Sequence, residues 1–286
     1  MDNSKLSSNC IGIVGLGLIG GSLGLELQSL GYVVHGLVSK SERAHRALER
    51  GLAQRISNDP KILLNCDLII LALPLEKLIK PPKEIVKALP EESIITDVGS
   101  VKKSILDVWE ELHPRFVPSH PMAGTTESGV EAGHIGLFKN RPWVVTPNNK
   151  TDNEALGIIN KLANTLEANY IKTEAEIHDK AVSLISHLPI IISAALIKST
   201  ADEKDCSILN LAKNIASSGF SDTTRVGGGN ADLGKEIISN NRDFILQALN
   251  SYKFSLEEFE RIITDNNWEE LKDQLKNTNQ KRNEFM

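Results

Sequence analysis

The chain has 286 residues, enough for about two domains and for a core that needs no covalent staples. Hydrophobic residues make up 41% and charged residues 24%, a balance that excludes a disordered chain, a collagen or a coiled-coil rod. Lys plus Arg number 32 against 37 Asp plus Glu, and the net charge of −5 argues against a protein that grips a nucleic-acid backbone.

Up to residue 173 the chain alternates between short apolar runs and helical patterns. Residues 11–14 read as a strand, followed by a glycine turn and a helical pattern to about Leu30. Residues 32–38 form a second expected strand, and 41–51 a helix with Ser41 as N-cap and Gly51 as its stop. Residues 67–73 (DLIILAL) are an unbroken apolar run closed by Pro74, as suits a parallel strand buried on both faces. Residues 93–98, 115–118 and 143–146 are further expected strands. Strands separated by helical stretches predict βαβ units and a parallel sheet.

Beyond residue 173 no strand alternation is visible. Residues 176–200 carry apolar side chains at helical spacing around Pro189, and 205–217, 231–240, 242–264 and 267–278 also read as helices. Residues 217–230 form the longest polar loop of this half. The expectation is an α/β domain over 1–173 and an all-α domain over 174–286, with the polar ends, 1–9 and 280–286, frayed.

Cys10, Cys66 and Cys206 are odd in number, far apart in sequence and form no CxxC pair. Neither a disulfide framework nor a metal site is expected, and a reducing cytoplasm fits. Residues 10–25 carry no charge, but six of these 16 are glycine and Glu26 follows, so the stretch reads as neither a membrane span nor a signal peptide.

Gly15, Gly17 and Gly20 form a GxGxxG between an expected strand and an expected helix. In that setting Gly15 permits the tight turn, Gly17 the approach of a pyrophosphate, and Gly20 close helix–strand packing. The N–H groups at Leu18 and Ile19 open the helix toward phosphate. The combination predicts a Rossmann-like dinucleotide site, against the alternative of a glycine loop that only packs helix on strand. Leu73 and Pro74, ending the third apolar run, are assigned to the same cofactor. Where a carboxylate would bind the ribose 2′-OH of NAD, the chain has Ser39, followed by Lys40 and Arg43, which predicts NADP. The alternative is that both cations are solvated surface charges.

Ser100 and His120 stand at the carboxyl ends of successive expected strands, where ligands bind in open α/β sheets. His120 is a candidate proton acceptor near neutral pH, Ser100 a candidate holder of its ring, and Asp97 a turn cap. A satisfied structural histidine is the competing reading. His187, two residues before Pro189, is expected at a kink that tilts it toward the crevice, or buried beside that kink. Arg225, before three glycines, suits bidentate carboxylate binding, against a surface salt bridge with Asn230 capping the next helix.

The segments GLGLIGGS, TDVGSVK, SHPMAGT, ISHLP and ASSGFSDTTRVGGGN, in this order along nearly the whole chain, resemble the prephenate/arogenate dehydrogenases of tyrosine biosynthesis. The pattern is most similar to the short cyanobacterial arogenate dehydrogenases. The resemblance implies an N-terminal nucleotide-binding domain, a helical domain that forms a homodimer, and a small-molecule substrate (arogenate or prephenate) whose conversion needs no metal. It implies that His120 contacts the ring hydroxyl with Ser100 as its partner, that Arg225 holds a substrate carboxylate, and that His187 and Thr125 lie near the substrate. Relatives that place a glutamate directly after that threonine differ from this chain, which has Thr126 there and Glu127 one further on. The rival readings are another two-domain NADP-dependent dehydrogenase, such as a β-hydroxyacid dehydrogenase or an imine reductase, and a non-catalytic NADP sensor.

Overall fold

A computed structural model describes residues 6, 8–125 and 127–285. Six strands, β1 (Cys10–Val14), β2 (Val33–Leu37), β3 (Arg55–Ser57), β4 (Leu68–Leu71), β5 (Ile94–Asp97) and β6 (Phe116–Val117), form one sheet in the order β3-β2-β1-β4-β5-β6. Every neighbouring pair is parallel. The apolar runs of the sequence become its centre. Ile11, Ile13 and the whole of β4 are fully buried between two hydrophobic clusters, one on each face. Helices α1 (Leu18–Ser29), α2 (Ser41–Glu49), α3 (Leu75–Ile79), α4 (Lys83–Ala88) and α5 (Lys103–Leu112) connect the strands. The strand order reverses between β1 and β4, which makes their carboxyl ends the ligand crevice of such a sheet.

The remaining strands do not extend this sheet. The chain passes from β6 through Pro118 into β7 (Ser119–Pro121), which pairs antiparallel with β8 (Pro142–Val145). After α6 (Asn153–Thr165), β9 (Asn169–Lys172) lies parallel to β8. Neither β3 nor β9 is visible as an apolar run, because both are short and largely exposed. The Ser41 cap is also corrected. Ser41 is the first helical residue, Lys40 flanks it, and no side chain caps that end, whereas Gly51 does end the segment with φ +66°.

From Ala175 onward every element is helical: α7 (Ala175–Val182), a π-helical turn (Ser183–His187), α8 (Leu188–Ala201), α9 (Cys206–Ile215), α10 (Ser218–Thr224), α11 (Ala231–Asn240), α12 (Arg242–Thr264) and α13 (Trp268–Arg282). The π turn sits just before Pro189. Proline cannot donate to the carbonyl four residues back, and the extra residue of the π turn absorbs the mismatch. The expected loop over 217–230 is corrected in part, since α10 occupies its first half. The carboxyl end is ordered helix to Arg282, and Leu6 is buried, so fraying holds at neither of these positions.

Ala175–Ala201 is long and apolar enough to cross a membrane by length and composition alone: an 18-residue stretch of it has a mean hydropathy of 1.8, yet only 28% of that stretch is buried. Its packing is inverted. The inward positions include His178, Asp179, Ser183 and His187, while Ile177, Leu184 and Ile185 face outward.

Cys10 and Cys66, distant in sequence, meet with their Sγ atoms 3.4 Å apart, and His35 brings a third donor atom within 4.8 Å. Two cysteines far apart in sequence are thus close in space, without a disulfide between them. β1 and the segment entering β4 are neighbours, and the two thiols pack as core. Burial raises the pKa of both and keeps them protonated.

Candidate active site

The glycine turn has the shape a dinucleotide needs. Gly15 has φ +95°, and a Cβ there would lie 2.3 Å from the Ala72 carbonyl oxygen. A Cβ on Gly20 would lie 1.9 Å from the Gly15 carbonyl, so helix and strand meet backbone to backbone. A Cβ on Gly17, by contrast, would have nothing within 4 Å: its open side is where an outside group can approach the main chain. No side chain caps α1 and its first turn holds no acid, which leaves the Leu18 and Ile19 N–H groups for an anion. Leu73 flanks the turn from the β4 side, its Cδ2 3.6 Å from the position of a Gly15 Cβ, and Pro74 follows, exposed, at the start of α3. Ser39, Lys40 and Arg43 are exposed just after β2. The ion pairs of this helix belong to His45 and Arg46, and none among the described residues involves Lys40 or Arg43.

The crossing from the first sheet to the second sets His120. Ser119 donates its N–H to Asp97 Oδ1 at 3.1 Å and its hydroxyl to the Asp97 carbonyl at 2.7 Å, tying β7 to the end of β5. Asp97 does hold its turn, accepting from the Gly99 N–H at 2.8 Å, but it is also a fully buried carboxylate paired with the fully buried Lys102. Lys102 completes its shell by donating to the Ser119 carbonyl at 2.7 Å. A buried ion pair is tolerated when its other hydrogen-bonding positions are filled, and here they fix the strand that carries His120.

His120 is 9% exposed, and its Nδ1 lies 2.9 Å from His178 Nε2. His178 Nδ1 is in turn 2.8 Å from Asp179 Oδ1. Burial, with further contributions from His178, Lys102 and His187, holds the His120 pKa well below 6.5, so the ring is a neutral base at physiological pH. Ser100, expected to hold the ring, is half-buried after β5 and is not bonded to it; His178 takes that place. Nothing in the sequence reading singled out His178 or Asp179.

His187 is fully buried, its Nδ1 3.0 Å from Asn241 Nδ2, and burial pushes its pKa down to about 4. The π turn therefore leaves it buried beside Asn241 and not at a surface. Arg225 is exposed, and none of the ion pairs among the described residues involves it, so the surface salt bridge is not seen. Its base is tied to α8 on both sides, before the glycine turn that follows it. Arg225 ends α10, Ser193 donates to the Thr223 carbonyl at 2.6 Å, and a Cβ on Gly227 would lie 2.4 Å from the Ala194 nitrogen on α8. Asn230 caps α11 by accepting from the Leu233 N–H at 3.0 Å. Thr125 is exposed and accepts from the Glu127 N–H at 3.2 Å, while Thr126 lies outside the described residues.

Two family descriptions match in succession: "Prephenate dehydrogenase, nucleotide-binding domain" over residues 23–172 and "Prephenate dehydrogenase, dimerization domain" over 174–277. A prephenate dehydrogenase of Bacillus subtilis is 32% identical over 88% of this chain and 68% of its own length. The crystal structure of Synechocystis arogenate dehydrogenase is 37% identical, with a TM-score of 0.83 over 97% of this chain and 100% of that one. That of Aquifex aeolicus prephenate dehydrogenase, in complex with hydroxyphenyl propionate and NAD+, is 27% identical, with a TM-score of 0.91 over 99% of this chain and 100% of that one. With both halves matched in order, and with a glycine turn and a buried neutral histidine at the carboxyl edge of the sheet, the chain belongs to the prephenate dehydrogenase family of oxidoreductases.

Proposed function

We propose that the protein catalyses the NADP-dependent oxidative decarboxylation of arogenate to tyrosine. The observation that carries the chemistry is the neutral His120 ring, wedged between buried groups at the carboxyl edge of the sheet that bears the glycine turn. Gly15, Gly17, Leu18, Ile19, Gly20, Leu73 and Pro74 hold the dinucleotide, and Ser39, Lys40 and Arg43 surround its ribose. When bound, the nicotinamide supplies a hydride acceptor. His120 takes the proton of the substrate's ring hydroxyl as hydride leaves the carbon that bears it, and Ser100 lies beside that hydroxyl. The ring carboxylate departs as CO2, and aromatisation drives that step. Arg225 and Thr125 face the substrate from their exposed positions, and His187 lies near the substrate from the buried side, held by Asn241.

Likeness to the Synechocystis enzyme supports arogenate as substrate; the Bacillus relative and the Aquifex complex support prephenate as the second reading. Reduction of NADP by the purified protein with each substrate in turn decides between them, and no turnover of either substrate overturns both.

The cofactor choice is tested separately. NADP is expected to show the higher kcat/KM, because position 39 carries no carboxylate to repel a 2′-phosphate and no ion pair among the described residues occupies Lys40 or Arg43. Ser39→Asp is expected to move the preference toward NAD, by adding an acceptor for the 2′-OH and a charge that repels phosphate. A kcat/KM for NAD equal to or above that for NADP in the unmodified protein removes this assignment.

The outward Ile177 of α7 and Leu184 and Ile185 of the π turn, together with Ile208, Leu211 and Ile215 on α9, are a surface for a second copy of the chain. Light scattering is expected to give the mass of a homodimer, and a monomer at micromolar concentration contradicts it. Three cysteines, odd in number and without a CxxC pair, support a reducing, cytoplasmic setting.

A further inference from the structure

We infer that His178 and Asp179 are positioning residues that lock His120 into one tautomer, with the proton on Nδ1 and the accepting lone pair on Nε2. The inference rests on the reading of His120 as the base and deepens it.

The assignment follows from which groups can only accept. Asp179 is a buried carboxylate with three donors on it: the Lys102 N–H at 2.7 Å and His178 Nδ1 at 2.8 Å on Oδ1, and the Lys103 N–H at 2.9 Å on Oδ2. An ionised carboxylate donates nothing, so His178 carries its proton on Nδ1. With its one proton on Nδ1, His178 presents a lone pair at Nε2, and the 2.9 Å contact to His120 Nδ1 then has His120 donating. The neutral His120 ring is left with its lone pair on Nε2, the nitrogen with no partner among the described residues. Two imidazoles thus carry the instruction of one carboxylate across two rings.

The relay is also anchored. Asp179 grips the backbone at the start of α5, the helix that follows Ser100, and so fastens the helical half to the crevice. From α12, Asn241 Nδ2 donates to the Asp179 carbonyl at 2.7 Å and to His187 Nδ1 at 3.0 Å, which places the His187 proton on Nε2. That Nε2 is buried and lacks a partner among the described residues.

Interposing a neutral ring has a consequence that a direct carboxylate contact lacks. A carboxylate touching His120 would favour its cation. The groups facing it are instead Lys102 from the segment before α5, His178 from α7 and His187 from the π turn, with Asp97 already committed to Lys102. Orientation is gained and the ring stays neutral.

The test uses the intact protein labelled with 15N-histidine, whose ring shifts report which nitrogen carries the proton for each of the seven histidines. In the unmodified protein at pH 7, His120 and His178 are expected as Nδ1–H tautomers. A His120 ring protonated on Nε2 or on both nitrogens overturns the relay, including the case of a cationic His178 that donates to it. In steady-state assays His178→Leu, which leaves His120 Nδ1–H without an acceptor, is expected to lower kcat by roughly 10² with NADP affinity unchanged. His178→Gln, which restores an acceptor oxygen, is expected to recover at least about tenfold of that loss. Full kcat in a folded His178→Leu protein overturns the relay while leaving His120 as the base. Absence of turnover by the unmodified protein overturns the functional reading instead, and the 15N spectrum alone then decides the relay.

Discussion

His120→Asn is expected to lower kcat by roughly 10²–10⁴ while leaving NADP affinity nearly unchanged. Asparagine keeps a polar group at the end of β7 but cannot take up a proton at neutral pH, so a loss confined to the chemical step isolates the base. The pH profile carries the second half of this prediction. Burial and the nearby Lys102, His178 and His187 hold the His120 pKa well below its ordinary 6.5. The active form is the neutral ring, so kcat is expected to stay level as pH falls through 6.5 and to drop only below it. Stability moves in the same range. A buried neutral histidine binds its proton more readily in the unfolded chain, so His120 and His187 stabilise the fold above pH 6.5, and that contribution is lost as pH falls toward their lowered values. Circular dichroism recorded alongside the assay separates the two effects. A His120→Asn protein with near-normal kcat, or an acid limb centred at or above pH 6.5 in a folded enzyme, removes His120 from the role of base.

What was legible in the sequence is what short-range physics controls. The glycines of the first turn announce themselves because no other residue fits where a Cβ would meet the Ala72 or Gly15 carbonyl. The central strands do so because burial on both faces demands unbroken apolar runs. The sheet break at Pro118 left no such trace. β6, with two residues, and β7, with three, are separated only by Pro118, and their partners, β5 and β8, assign them to different sheets. His178 and Asp179 were missed because a helix with outward apolar residues reads as a core helix with a polar outer face. The usable signal was the stripe Asp179, Ser183, His187 at spacing four in an otherwise apolar run, with His178 beside it. Ionisable groups on a strongly apolar helix are retained where they are paired, and pairing is a tertiary fact. For the same reason Cys10, His35 and Cys66 looked unrelated until parallel strands brought them together.

Arg225→Ala is expected to raise KM for the substrate by about 10- to 100-fold. Arg225 stands exposed at the end of α10 on a base fixed to α8 by the Ser193–Thr223 hydrogen bond and the close packing of Gly227, with none of the ion pairs among the described residues involving it. A guanidinium carried on a tethered backbone, with no carboxylate paired to it among the described residues, suits a carboxylate that arrives with the substrate. Hydrogen bonds to charged groups contribute about 1.5–3 kcal/mol each, which is the source of the expected factor. Arg225→Lys is expected to restore only part of it, because an ammonium cannot reproduce the planar fork. If the contact is equally strong in the ground and transition states, kcat changes far less than KM, in contrast to the His120 and His178 variants, whose loss falls on kcat. The three substitutions therefore divide the site into a group that binds, a group that accepts the proton and a group that aims it. An unchanged KM for both arogenate and prephenate in Arg225→Ala removes the arginine from the site.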